Sequence, residues 1–439
     1  MTRRIVQIEL RRSAVLWIGV PAAALAWVMV GDAERWDGLW MATVLVHASN
    51  LGLLWPLALA GGAWQGRRDR AARITELMSS MPRTGASRTA PVAFALAGCL
   101  AGGYVLSLLD GLVRAMLAAS YQPPGWYWPL LAAALGIAAA GLLGLGLGRL
   151  MPSRLTAPLL AVAGLVVILG SQLLWEDTGS RALLLAPGYL GTNDEYSRVD
   201  WHAVVGQAVW FVALAATGWA LLIAGTRRTR LLAALPAVLG VAVALAVLPP
   251  ADRAAPLDPL AAELVCADGE PRVCVTQLYE PFLPQLVDPA RRALTTLGRL
   301  PHPPTAVVQE TGTYGGFVEQ RPDTVHLSLT VVGDGTISTG AASIEEDILD
   351  GAGTWKCGAA DADTDAWIRI DAARTAAGLW LRGADAAPEY LWTPVRELAD
   401  KALATLRALP VDAQVDRVAA MRDAAIDCRP DLYDILTGA

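Results

Sequence analysis

Seven long apolar runs fill the first 250 residues, and they leave this part of the chain a single kind of fold. The runs lie near 14–30, 39–63, 91–118, 127–150, 155–175, 203–224 and 231–249, and they carry very few charges. Each is close to or above the roughly 20 residues that an α-helix needs to cross a hydrocarbon core of ~30 Å. Lipid offers no hydrogen-bond partner to the backbone, so a spanning segment must satisfy its own N–H and C=O groups, as a helix does. The sequence predicts a multi-span α-helical membrane bundle of about seven spans. Arg3, Arg4, Arg11 and Arg12 ahead of the first run would suit a cleaved leader. That apolar run continues through Val30 and six more follow, so it reads as a span.

Charge divides the chain at the same point. Only 17% of the residues are charged, below the ~25% of an ordinary soluble domain. Residues 1–250 hold 19 Lys and Arg against 12 Asp and Glu, and residues 251–439 hold 16 against 29. The second part has the composition of a folded domain in water, and its acidity argues against a nucleic-acid partner.

Arginines orient the bundle. They cluster before the first run, in the 64–90 loop (Arg67, Arg68, Arg70, Arg73, Arg83, Arg88), at Arg149 and Arg154, and at Arg227, Arg228 and Arg230. The alternate loops are acidic or neutral, with Asp32, Glu34 and Asp37 in one and Glu176, Asp177, Asp194, Glu195 and Asp200 in another. Basic loops stay in the cytoplasm, so the N-terminus is expected inside and the C-terminal domain outside. Trp36, Trp40, Tyr121, Trp126, Tyr127, Trp128, Trp175 and Trp201 fall at the outer boundary, where amphipathic rings settle.

Four of the five cysteines, Cys266, Cys274, Cys357 and Cys428, lie in the domain assigned to the outside, where disulfides form and persist. Three pairings are open. Cys266–Cys274 is favoured because residues 265–274 read as two strands around Asp268-Gly269, and that choice leaves Cys357–Cys428. The rest of the domain reads as α+β. Asp288-Pro289 looks like a helix start. Strand character follows at 305–309 and 324–332, and helical patterns at 341–350, 362–382, 388–408 and 411–427.

Few residues invite a chemical role. Lysine occurs only as Lys356 and Lys401, and no Gly-rich turn ends in Gly-Lys, so no Walker A loop is present. No His-Glu-x-x-His occurs either, and His326 alternates with Leu327 and is expected to face solvent. The chain is therefore expected not to be an enzyme and to hold no cofactor or metal. Glu345, Glu346, Asp347 and Asp350 read as a solvated helix face. Within the spans, His47 and Asn50 lie one turn apart, and Asp110 and Arg114 share a helix face at i and i+4. Polar groups in a membrane hydrogen-bond across helices, pair with each other, or line a path. The run Gly141-Leu142-Leu143-Gly144-Leu145-Gly146-Leu147-Gly148 predicts close helix packing through small residues.

The first internal loop carries the most specific text. A basic stretch, Arg67 to Arg73, precedes Ile74, Leu77 and Met78 at helical spacing, and Met81-Pro82 ends the pattern. Residues 2–13 are a basic amphipathic segment ahead of the first span. Together they resemble the permease subunits of ABC transporters of the type-2 exporter class. In that class an interfacial helix precedes the first span, and the loop after the second carries a coupling helix, which Glu76-Leu77-Met78-Ser79-Ser80-Met81-Pro82 resembles.

The resemblance implies an interfacial helix at 1–13 and a six-span permease-like domain at 14–225. A cytoplasmic turn and seventh span at 226–250 and an extracytoplasmic domain at 251–439 are additions to that pattern. It implies a separate ABC ATPase subunit carrying ATP-Mg. Arg67, Arg68, Arg70, Arg73, Ile74, Glu76, Leu77 and Met78 would face that ATPase. It also implies a second permease, either another copy or a homologue, and a bacterial cytoplasmic membrane. The order of elements outside weakly resembles the ectodomain of gluzincin-like metallopeptidases without the zinc ligands. The competing reading is a multi-span anchor for a binding or catalytically inactive peptidase-like domain, and a third is a membrane scaffold in a larger complex.

Overall fold

A computed structural model describes residues 15–31, 39–68, 85–175, 179–192, 195–311, 319–331, 337–338, 343–357 and 364–438. It divides into two units, Met1–Asp258 and Pro259–Ala439.

The first unit is a helical bundle. Its helices are α1 (Val15–Gly31), α2 (Trp40–Ser49), α3 (Leu51–Gly66), α4 (Gly85–Ser107), α5 (Leu109–Ala118), α6 (Tyr127–Leu150), α7 (Thr156–Trp175), α8 (Trp201–Ile223), α9 (Arg227–Leu232) and α10 (Leu235–Val247). Among the described residues, five helical segments are long and apolar enough to cross a membrane: 85–118, 127–150, 156–173, 201–223 and 227–247. The α2–α3 pair, bent by 46°, passes the same length and composition test only when its two helices are taken together as one span. At 17 residues, α1 is the shortest of the seven apolar segments. Its length of about 26 Å is slightly under the hydrocarbon thickness.

Glycine decides which helices meet. α6 lies at the centre, with α3 against one side and α8 against another. A Cβ placed on Gly144 would sit 2.0 Å from the Leu59 carbonyl oxygen of α3, and one on Gly146 would sit 2.3 Å from the Gly218 oxygen of α8. Gly62 and Gly66 of α3 approach the α6 backbone equally closely. Lipid tails are as apolar as the side chains, so association rests on van der Waals contact, and missing side chains let two backbones touch. The close packing predicted from residues 141–148 is what the bundle uses.

The second unit is α+β. A four-stranded sheet has the order β1 (Leu264–Cys266), β2 (Arg272–Thr276), β3 (Ala306–Gln309), β4 (Thr324–Leu327). β1 and β2 are antiparallel with Cys266 opposite Cys274, while β2–β3 and β3–β4 are parallel. Between β2 and β3 the chain forms α11 (Leu283–Leu297). Two short strands, β5 (Thr330–Val331) and β6 (Ile337–Ser338), form a separate ladder. The helices α12 (Ile344–Leu349), α13 (Thr364–Arg382), α14 (Thr393–Arg407), α15 (Val411–Ile426) and α16 (Leu432–Thr437) complete the unit. Val273, Val275, Val307, Val325 and Leu327 are buried with Leu286, Ala290, Ala293 and Leu297 of α11.

Two local expectations change. α11 begins at Leu283 rather than at Asp288, with Pro289 inside it. The buried Leu283 and Leu286 lengthen its apolar face upstream, which outweighs the one backbone bond that a proline forfeits. The stretch 324–332 is also not one strand: β4 stops at Leu327, and Thr330–Val331 pairs with Ile337–Ser338 instead.

Disulfides join Cys266 to Cys274 and Cys357 to Cys428. A buried cation fastens the later helices to the loops beside the sheet. Arg422 on α15 is 2% exposed. Its guanidinium donates to the carbonyls of Ala352 (3.1 Å), His302 (3.4 Å) and Pro322 (2.6 Å). Burial pulls its pKa below the usual value, and Asp423 opposes that shift. Arg422→Met keeps much of the volume and strands three carbonyls. It is expected to destabilise the unit by about 3 kcal/mol, read as earlier thermal unfolding of the purified chain than in Arg299→Met, a change at an exposed arginine.

Candidate functional site

The second apolar run is bent by 46°, and just past the bend Pro56, inside α3, has no N–H to offer the Gly52 carbonyl one turn before it. The break falls at Asn50, which is 7% exposed and whose side chain caps neither helix. A second break, at Leu108, separates α4 from α5. Beside these two breaks lies a buried polar cluster.

His47, in the last turn of α2, is fully buried. Its Nε2 lies 2.9 Å from the Tyr104 carbonyl oxygen and 3.4 Å from Ser107 Oγ. Tyr104 returns the contact, its hydroxyl donating to the His47 carbonyl at 3.0 Å. Ser107 Oγ donates to the Tyr104 carbonyl at 2.8 Å. The rings of His47 and Tyr104 stack with centroids 4.1 Å apart. His47 Nδ1 and Asn50 Nδ2 are buried without a hydrogen-bond partner among the described residues. α2 and α4 are thus joined by reciprocal bonds where each helix is interrupted, with unused polar capacity on the α2 side.

A connecting segment packs against the same break. Two 3-10 turns, Arg181–Leu185 and Tyr189–Thr192, flank Gly188. Gly188 has φ +89°, and a Cβ there would lie 3.1 Å from both the Gly52 nitrogen and the Ser49 carbonyl oxygen. Only a residue without a side chain fits both that backbone angle and that approach. Gln207 of α8 secures the segment by donating to the Leu184 carbonyl at 2.9 Å.

The other residues singled out from sequence are dispersed. Asp110 and Arg114 of α5 form an ion pair at 2.7 Å, with side chains 55% and 50% exposed. They lie on the outer surface of the helix and line no internal path among the described residues. Arg67 caps the C-terminal end of α3, and Arg68 beside it is exposed. Arg70, Arg73, Ile74, Glu76, Leu77 and Met78 lie outside the described residues, as do residues 1–13.

In the second unit the structure reverses the expectation for His326. Its side chain is only 8% exposed, and its Nδ1 meets Glu310 Oε1 at 2.5 Å. Parallel pairing sets Val308 beside His326, which brings the residue just past the end of β3 onto the ring. His326 Nε2 is buried without a hydrogen-bond partner among the described residues. It borders a cavity of about 20 Å³ lined by Asp347, Asp350, Thr354, Trp355, Lys356 and Arg374. A histidine held at one nitrogen by a carboxylate presents a defined tautomer at the other. Here the neighbouring charges are already paired, Arg374 with Asp350 at 3.0 Å and Lys356 with Asp371 at 2.6 Å. No group of three or more His, Cys, Asp or Glu among the described residues could hold a metal ion.

Sequence reading found His47 and Asn50 but missed Tyr104, Ser107 and Glu310. A tyrosine and a serine three residues apart in an apolar run were the available signal for the first two. Glu310 carried none, because its role depends on which strand lies beside β3.

No family model, curated protein or solved structure matches this chain. Its own residues identify it as a multi-span membrane protein with a distinct C-terminal α+β domain held by two disulfides, the chemistry of an extracytoplasmic location.

Proposed function

We propose that this chain is the membrane-spanning permease subunit of an ABC transporter. It would couple ATP hydrolysis on a separate ATPase to substrate movement across a bacterial cytoplasmic membrane, in the export direction. The observation that carries this reading is the basic amphipathic loop between the second and third spans, Arg67 to Pro82, with its likeness to a coupling helix.

The packing gives that loop a mechanical context. It leaves directly from the C-terminal end of α3, at Arg67. α3 is locked by backbone contact to α6, and its other end is the bend beside His47 and Tyr104. Force applied to the loop by an ATPase would move α3 and α6 together and work against the bend. The apolar side chains Ile74, Leu77 and Met78 would seat in the ATPase, and the arginines and Glu76 would orient it. ATP-Mg would sit on that partner. A second permease copy or a homologue would complete the pathway.

The rival reading, an anchor for an extracytoplasmic binding domain, is favoured by the size of the disulfide-held second unit. One experiment separates the two. Affinity purification of the wild-type chain in mild detergent is expected to bring an ABC ATPase with it. Leu77→Asp and Glu76→Arg are each expected to remove that ATPase while leaving the chain in the membrane fraction. Undiminished ATPase with both variants overturns the docking surface, and no ATPase with the wild type overturns the permease reading.

A further inference from the structure

The outer ends of α6 and α8 carry a hydrogen-bonded frame. Residues 196–200 and 254–258 run antiparallel. The Arg198 nitrogen donates to the Pro256 carbonyl at 2.8 Å, Asp200 to Ala254 at 2.8 Å, and Asp258 to Tyr196 at 2.7 Å. Ser197 and Leu257 bridge between them. The Tyr121 hydroxyl donates to the Asp258 carboxylate at 2.7 Å, tying in the loop before α6. Asp258 is 3% exposed. Burial, reinforced by this carboxylate, raises the Tyr121 hydroxyl above its usual pKa, so the bond keeps its proton.

Within this frame lies a cavity of about 590 Å³, bordered by Trp128, Trp201, Val204, Val205 and Arg198. That volume falls within the roughly 300–1,000 Å³ of small-molecule sites. Its aromatic rims are bare: Trp201 is 63% exposed and Trp128 52%. The arginine distribution puts this end of the bundle at the outer membrane–water interface, where indole rings meet lipid headgroups.

Two charged residues, Asp200 and Arg198, border the cavity. Asp200 is engaged at the start of α8, accepting from the His202 nitrogen at 2.7 Å and lying 2.9 Å from its ring. Arg198 is exposed and forms no ion pair among the described residues, and its charge acts on the nearby Tyr121 hydroxyl against the pull of Asp258. A planar guanidinium of this kind matches a phosphate through two parallel hydrogen bonds. Apolar walls, interfacial indoles and an unpaired cation at the rim fit an amphiphile with an anionic head.

We propose that this cavity binds one anionic phospholipid of the outer leaflet, its phosphate on Arg198 and its acyl chain against Trp128, Trp201, Val204 and Val205. The occupant is a lipid rather than a soluble anion because the walls are apolar and the surrounding leaflet supplies the ligand. The proposal does not depend on the permease reading, since it needs neither an ATPase nor transport.

The test is native mass spectrometry of the full-length chain in detergent, titrated with phosphatidylglycerol or with phosphatidylcholine. Both lipids carry a phosphate, but the choline cation of phosphatidylcholine cancels that charge and is repelled by Arg198, so the wild type is expected to retain one phosphatidylglycerol about tenfold or more in preference to phosphatidylcholine. Arg198→Gln is expected to abolish the preference and Arg198→Lys to restore part of it. The Arg198 side chain takes no part in the ladder, whose bonds are from backbone, so both variants should fold. Arg181→Gln, at another exposed arginine near the same end, should change nothing. Trp201→Ala should weaken retention of both lipids. Equal retention of the two lipids by the wild type, or an unchanged preference in Arg198→Gln, overturns the site. Loss of the preference in Arg181→Gln as well would reduce it to general surface charge. Displacement of the bound lipid by millimolar inorganic phosphate would assign the site to a soluble anion instead.

Discussion

Gly144→Val is expected to prevent the membrane unit from reaching its native packing. The substitution puts a branched side chain where a single added carbon would already lie 2.0 Å from the Leu59 carbonyl oxygen. That oxygen belongs to helix backbone and cannot rotate away, so α3 and α6 must separate. Separation undoes the other close approaches of the same pair, at Gly62, Gly66 and Gly148. Overpacking a well-filled interior costs typically 1–3 kcal/mol, and loss of neighbouring contacts should take this case above about 3 kcal/mol. The measurement is the fraction of monodisperse protein recovered in mild detergent, followed by its thermal aggregation temperature. Gly170→Ala supplies the contrast. Nothing lies within 4 Å of a Cβ at that position of α7, and replacing a helical glycine gains about 0.5–1 kcal/mol. Equal recovery of Gly144→Val and wild type would show that backbone contact does not hold the bundle together.

The paired substitution Cys357→Ala with Cys428→Ala is expected to destabilise the second unit by about 4 kcal/mol. This bond spans 71 residues of sequence, and the loss follows from the chain entropy that a link of this length removes from the unfolded state. It also joins the end of the α12 region to the end of α15, so its removal frees the same later helices that Arg422 anchors. Against a total stability of 5–15 kcal/mol for a typical domain, such a loss should expose the unit to protease at ordinary temperature. Limited proteolysis of the full-length chain, followed at the C-terminus, would read it. Cys266→Ala with Cys274→Ala closes a separation of only 8 residues and should cost less, about 2.5 kcal/mol. Equal protease sensitivity of the two double variants would show that loop length is not what the bonds contribute.

These outcomes bear on the two halves of the chain differently. The membrane unit depends on positions where a side chain is missing. The second unit depends on covalent and charged cross-links over an α+β core. The proposed coupling loop and the proposed lipid site both lie in the first half, at its cytoplasmic and outer ends in the orientation that the arginines give.

Much of this was legible in the amino-acid sequence. Insertion of a helix into lipid is a property of some 20 consecutive residues, so apolar runs such as 127–150 announced their spans without any knowledge of neighbours. The side of the membrane to which each loop belongs follows from local charge in the same way, and the change in composition near residue 250 marked the second domain. The glycines at 141–148 were recognisable as a packing surface because small residues have few other uses in a span. Tertiary structure alone decided which partners those surfaces meet. Gly144 touches Leu59, His47 meets Tyr104, and the bend at Asn50 receives the segment around Gly188. It also decided that β3 lies parallel to β4, which buries His326 against Glu310 instead of exposing it. The physical reason is range. Hydrophobicity and charge act through each segment's own contact with solvent or lipid, whereas strand order, helix neighbours and buried hydrogen bonds depend on residues far apart in sequence, whose meeting no local pattern encodes.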